Sequence, residues 1–350
     1  MTLTGVLVLL GYSVTVPSQQ SGESNSEQRN RGIQLYKQGD VKGAAKILGS
    51  IVRQNKSDAD AWYFLGLALV RDDDFGNARK AFAATVKLRP DFGLAHTGLA
   101  YTLLAVAKNE EAGREARRAI ELNIVDPDAH YILGVVYLRF GRNTEALAEA
   151  ELAIAQKPNL APPYLLKCET LLALEGEASG KSAKVRFPAS RELTEEEREE
   201  RRRLRQKSAQ SFASAANALE SYLSFAASSS ETPVWREQLE TLRLFAGKHQ
   251  TGELEVVSGG EVTTQVRVLE KPGPTYTERA RAAGIVGTVI LRAVFSAEGK
   301  VEHILVLRSL PGGLTEKAIQ TARKIRFTPA TKDGKPVAMI MELQYNFNLY

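Results

Sequence analysis

Few side chains in this sequence could carry chemistry. Its 350 residues include one cysteine, Cys168, and four histidines, His96, His130, His249 and His303. A single cysteine excludes an intramolecular disulfide and any cysteine-clustered metal site, and Cys168 reads as a small packed residue. No two histidines stand four apart, as they do on a zinc-binding helix. Glu302, His303 and Ser309 are the nearest approach to a hydrolytic set. Neighbours on a strand point to opposite faces, however, and neither a nucleophile elbow nor a phosphate-binding glycine loop is present. The expectation is no catalytic residue, no cofactor and no metal. The net charge of +5 is spread along the chain rather than gathered into a basic patch, so nucleic acid is not an expected partner. What remains is the chemistry of binding: aromatic and aliphatic faces, and the backbone groups at a sheet edge.

Several elements must hold those surfaces. With 43% hydrophobic and 25% charged residues and a mean hydropathy of -0.22, the chain can bury sizeable cores and is long enough for more than one domain. Its one long apolar run, Leu3 to Val16, falls short of the ~20 residues a membrane-crossing helix needs. Residues 1–25 therefore read as a signal peptide or short anchor plus linker, although no Lys or Arg precedes the run. The expected location is the periplasm or cell envelope, exported or anchored at the inner membrane.

A 34-residue period fills the first half. Gly32, Gly66, Ala100 and Gly134 recur at that interval, as do Ala44, Ala78, Ala112 and Ala146. Each unit offers two amphipathic helical stretches around a tight turn. Small residues at these positions let the paired helices approach closely. Helices this short are marginal alone, so each unit must bury its apolar face on the next. The third unit departs from the pattern, with Ile124 in place of a terminal proline and His96 in place of the first aromatic. A fifth unit starts at Ala161, and a charged insertion at about 176–206 then breaks the register. Within it, Glu195 to Arg205 alternates blocks of charge that can pair at i, i+3 and i, i+4 on a solvated helix. Helical spacing returns over 208–225 and 235–245, which predicts the displaced second helix of unit five and a capping helix.

Beyond a linker at 248–265 the period changes from 3.6 to 2. Thr288–Phe295 and Val301–Arg308 read as a hairpin around Gly299. Leu314, Ala318, Ala322 and Ile325 then recur at helical spacing. From Val337 to Tyr350 apolar and mostly polar residues alternate, which predicts a long antiparallel strand buried on one side only. The fold class is multidomain, α and α+β: an α-solenoid over 26–247, then a small domain over 266–350 with an antiparallel three-stranded sheet and two helices.

Two resemblances rest on these residues. Trp62, Leu65, Gly66, Leu69, Ala78, Phe82 and Pro90 follow the tetratricopeptide repeat motif. That resemblance implies a groove, lined by the first helix of each pair, that receives a protein partner. Its positions here include Tyr63, Leu67, Arg71, Tyr101, Tyr131, Val135 and Arg139. Leu67, Leu94 and Gly98 stand where a carboxylate-binding groove would carry Lys, Asn or Arg, so no such clamp is expected. The tyrosines serve equally well for packing between units. Residues 266–350 resemble the C-terminal domain of TonB-family energy transducers. The resemblance is carried by Pro274-x-Tyr276, Ala280-Arg281, Gly284, Gly287, Gly299, Ser309, Phe327-x-Pro329-Ala330, Gly334 and Pro336-Val337. It implies strand addition: an extended segment of a TonB-dependent outer-membrane receptor pairs with the edge of the last strand, at Ala338, Ile340, Glu342, Gln344 and Asn346. The alternatives are an edge paired with a second copy, as a homodimer, and a complete energy transducer whose membrane helix lies upstream of this start.

Overall fold

The computed structural model describes residues 23–123, 125–182, 194–228, 232–247, 256–257, 262–282 and 284–349. The apolar run at 3–16 lies outside them. Among the described residues, no helix is long and apolar enough to cross a membrane. The chain forms two compact units divided between Leu166 and Lys167.

The first unit is built of antiparallel helix pairs: α1 (Glu23–Gln38) with α2 (Val41–Gln54), α3 (Ala59–Arg71) with α4 (Phe75–Leu88), α5 (Gly93–Ala105) with α6 (Asn109–Leu122), and α7 (Pro127–Arg139) with α8 (Asn143–Gln156). Helix α9 (Ala161–Ser182) begins in this unit and ends in the next. Asp40, Asp58, Asp74 and Asp126 each cap a helix by accepting a backbone N–H from three residues on, the strongest local start signal a sequence offers. Every turn within a pair contains one residue in the left-handed region: Gly39, Asp73, Ala107 and Gly141, spaced by the repeat, with φ of +88°, +58°, +62° and +70°. Only two of these are glycine, the residue that adopts this region without strain.

The small residues of the motif act as anticipated. Phe82 on α4 is fully buried. A Cβ at Gly66 on α3 would fall 2.8 Å from its ring, and one at Gly98 on α5 would fall 2.5 Å away. Phe82 is thus held between two consecutive units. The departures at the first aromatic position also have a physical reason. Trp62 Nε1 donates to the Lys56 carbonyl at 3.0 Å, and Tyr164 Oη donates to the Pro158 carbonyl at 2.8 Å. At the same repeat position His96 Nε2 lies 3.0 Å from the Pro90 carbonyl, so one polar role is filled by three ring types. His96 and His130, one repeat apart, each place Nδ1 on a glutamate of the second helix, Glu115 at 2.7 Å and Glu149 at 2.6 Å.

The second unit contains the end of α9, α10 (Glu195–Phe225), α11 (Thr232–Phe245), β1 (Val256–Val257), β2 (Arg267–Glu270), α12 (Glu278–Ala282), β3 (Gly287–Phe295), β4 (Val301–Arg308), α13 (Leu314–Ala322), β5 (Arg326–Thr328), β6 (Ala330–Lys332) and β7 (Lys335–Phe347). The three long strands form the expected antiparallel sheet in the order β7-β3-β4. Short strands extend it: β6 pairs antiparallel with β7, β1 pairs parallel with β7, and β2 pairs separately with β5. The β3–β4 ladder slips between Arg292 and Val294, where the extra residue on β4 falls beside His303 at φ +47°.

One sheet face, with Val289, Leu291, Phe295, Leu343 and Phe347, packs on Leu314, Ala318 and Ala322 of α13. The other face differs from the sequence expectation. Ile290, Val294, Leu305 and Leu307 are also buried. Gln238 of α11 donates to the Ile304 carbonyl at 3.3 Å, and Gly176 of α9 abuts Leu307. The 3.6 spacing over 208–245 predicts the end of the helical array, whereas α10 and α11 share a compact unit with the sheet. Burial on both faces is why β3 reads as the unbroken run VILRAVF rather than an alternation.

Candidate functional site

In the first unit the structure brings the motif residues together, but into the core. Tyr63 is 7% exposed, with its ring centroid 4.8 Å from that of Phe92 and 5.9 Å from that of Phe82. Burial raises its phenol far above the ordinary tyrosine range. Leu67 is buried, and Tyr101 is buried with its ring against Phe75. These three, read from the sequence as groove positions, are buried between neighbouring helices. Tyr131 and Val135 are half-buried against the same core. Arg71 and Arg139 reach back across the repeat. Arg71 donates to the Tyr36 carbonyl at 3.3 Å and stacks on the Tyr36 ring. Arg139 donates to the Leu104 carbonyl at 3.2 Å and to Asn109 at 2.6 Å. The two arginines are 68 residues apart and do one job, bracing the end of the preceding unit's first helix.

The last strand is different, because what it presents is backbone. Lys332 and Lys335 close a two-residue turn over Asp333 and Gly334, both at positive φ, so that pair exchanges hydrogen bonds. Thr331 faces Pro336, which has no N–H to give and so occupies a non-bonded position. Odd-numbered residues of β7 therefore turn their N–H and C=O toward the flank shared by β6 and β3, and even-numbered residues turn theirs the other way. The other flank carries β1 at Ala338 and Met339. From Ile340 to Phe347 no strand lies on it among the described residues. Of the five edge positions read from the sequence, Ala338 is paired with Val256 of β1. Ile340, Glu342, Gln344 and Asn346 keep backbone groups aimed outward.

Two features escaped the sequence reading. The first is a polar cluster at the helix-covered face. Arg292 of β3 donates to Glu175 of α9 at 3.1 Å and to Ser208 of α10 at 3.2 Å; Ser208 also donates to Glu175. The guanidinium lies over the Phe212 ring and 3.7 Å from Glu342. The Arg292 and Glu175 side chains are only 15% and 8% exposed. A lone cation within the apolar run of β3 was the available signal, since a buried charge requires a partner. The second is Lys271. Its Nζ donates to the Gln344 carbonyl at 3.1 Å on the open flank and sits 4.9 Å from the centre of the Tyr345 ring. Tyr345 is buried, its hydroxyl has no partner among the described residues, and burial pushes it up to about 12. No cluster of His, Cys, Asp and Glu suited to a metal occurs among the described residues.

Comparison with known proteins finds two family models that each match part of the chain. The tetratricopeptide repeat family matches residues 29–91 and 97–161, and the family described as the Gram-negative bacterial TonB protein C-terminal matches residues 272–349. Cytochrome c-type biogenesis protein CycH of Bradyrhizobium diazoefficiens is 25% identical over 202 residues, covering 57% of this chain and 55% of that protein. Protein TonB of Pseudomonas aeruginosa is 31% identical over 88 residues, covering 25% of this chain and 26% of that one. The chain thus spans about half the length of the first relative and about a quarter of the second. Among solved structures, MamA superposes with a TM-score of 0.43 at 20% identity, covering 60% of this chain and 99% of MamA. The chain carries tetratricopeptide repeats in its first half and a TonB C-terminal domain at its end.

Proposed function

We propose that this protein is a non-enzymatic adaptor of the cell envelope, which holds one protein partner on its tetratricopeptide array and captures an extended segment of a second by strand addition to β7. The second partner in this reading is a TonB-dependent outer-membrane receptor. One observation carries it: the outward flank of β7 already accepts an added strand, because β1 pairs there in parallel at Ala338 and Met339, and among the described residues no strand pairs with that flank beyond β1. Each backbone hydrogen bond gained contributes about 0.5–1.5 kcal/mol net, so a few of them give specific yet reversible attachment. The partner of the array meets the half-buried Tyr131 and Val135 rather than Tyr63 or Tyr101. The likeness to the curated TonB proteins favours a second reading, a complete energy transducer that drives transport through such a receptor.

A photo-reactive residue at Ile340 or Gln344, with identification of the captured protein, tests the first reading. Capture of a β-barrel receptor supports strand addition, and capture of only a second copy contradicts it. Under the transducer reading, deletion of the chain abolishes energy-dependent uptake through the captured receptor. Under the adaptor reading, uptake persists.

A further inference from the structure

The open flank of β7 raises a physical difficulty. An exposed strand edge pairs with any other edge of suitable length, and another copy of the same edge is always at hand. Two β7 flanks brought together antiparallel across a twofold axis near Gln344 would have matching lengths and matching alternation. Charged side chains on an edge are one means by which sheets prevent this. Lys271, just after β2, is placed to do so. Its ammonium occupies the Gln344 carbonyl, where an added strand would place a backbone N–H, and the same charge sits over the Tyr345 ring. It therefore stands in for a bound strand at the centre of the open stretch.

We propose that Lys271 closes the β7 flank to a second copy of this chain, an inference that rests on the strand-addition reading of that flank. Self-pairing must release two Lys271–Gln344 bonds at once. It also brings two ammonium groups to one place on the new ladder, and like charges directly opposite each other destabilise a strand pair. A foreign segment displaces one lysine and meets one charge. The same side chain thus discriminates against self-association while leaving the flank usable by a partner.

The test uses the full chain carrying Gln344→Cys, an exposed position, with Lys271 intact, with Lys271→Met or with Lys271→Arg. Methionine keeps an unbranched side chain of similar length and removes both donor and charge. Cys168 is buried and does not compete for oxidation. After mild oxidation, the disulfide-linked dimer through position 344 is expected to rise at least about tenfold with Lys271→Met, because self-pairing then no longer releases two charged hydrogen bonds. With Lys271→Arg it stays at the level of the intact-lysine chain. Far-UV circular dichroism checks that each variant is folded. Equal dimer yields with lysine and methionine, or a high yield with lysine intact, overturn the role of Lys271. This result is independent of receptor capture. A methionine-dependent dimer without receptor capture refutes the receptor and leaves Lys271 as the gate; capture with equal dimer yields does the reverse.

Discussion

The two units treat their polar and aromatic groups in opposite ways. In the helical array a few solutions recur in register with the 34-residue repeat. Carboxylates cap helices, a ring bonds back to the turn, a histidine meets a glutamate, and an arginine holds the preceding unit's carbonyl. The groups suited to recognising a partner are spent on the array itself. In the sheet the side chains are equally committed, since both faces of β3 are covered, but among the described residues a stretch of backbone on β7 is left over. An aromatic residue at a repeat position is therefore weak evidence of a binding site. An unpaired strand flank is stronger evidence, although no single side chain marks it.

The contrast can be broken most forcefully at Tyr63 and Tyr101. If both rings are core, Tyr63→Ala with Tyr101→Ala removes two buried aromatics at about 3 kcal/mol or more each, and helical circular dichroism collapses at a lower urea midpoint. A double mutant that melts normally but loses a partner would return these residues to a binding role. Next in size, Arg292→Met leaves Glu175 buried without its cation and should cost about 3 kcal/mol. Replacing Glu175 by Leu as well should recover most of that loss, measured by the same denaturation.

A smaller effect is the pH dependence of the array. Burial, then the neighbouring Asp126, pushes the Asp128 carboxyl up to about 7. Folded chain therefore binds that proton more tightly than unfolded chain, and stability declines as pH rises from about 4 to 7, by about 1 kcal/mol of it between pH 6 and 8. The hydrogen bond that His96 donates to the Glu115 carboxylate raises His96 above its ordinary value. Its contribution is complete below the unfolded histidine value and is lost as pH climbs through the folded one, so it acts in the same direction. Asp128→Asn should flatten most of this slope in thermal melts at pH 6 and pH 8. Smallest is Ala107→Gly. It relieves an alanine at φ +62° against the greater chain entropy of glycine, for a net gain of about 0.5 kcal/mol in urea denaturation.

Much of this architecture was legible in the sequence because its signals are local and repeated. The small residues around Phe82, the turn at Gly299 and the alternation of β7 depend on near neighbours or on a fixed period. What escaped is long-range. That α11 covers β4 could not follow from its spacing, because an amphipathic helix shows that it has a buried face and not what buries it. Tyr63 and Tyr101 were ambiguous for the same reason. Arg292 was visible as an anomaly, but its partners Glu175 and Ser208 lie 117 and 84 residues away. The two-sided pairing at Met339 depends on Val257, in a stretch whose sequence carries no strand alternation.

The central claim, that β7 offers an unpaired flank, is tested most directly by amide hydrogen exchange resolved residue by residue along 335–347 in the full chain. Odd-numbered amides from Met341 to Phe347 should be strongly protected by β3, while those of Glu342, Gln344 and Asn346 exchange at near-solvent rates. Uniform protection across all of these amides would mean that a second strand already covers the flank, and would contradict the account.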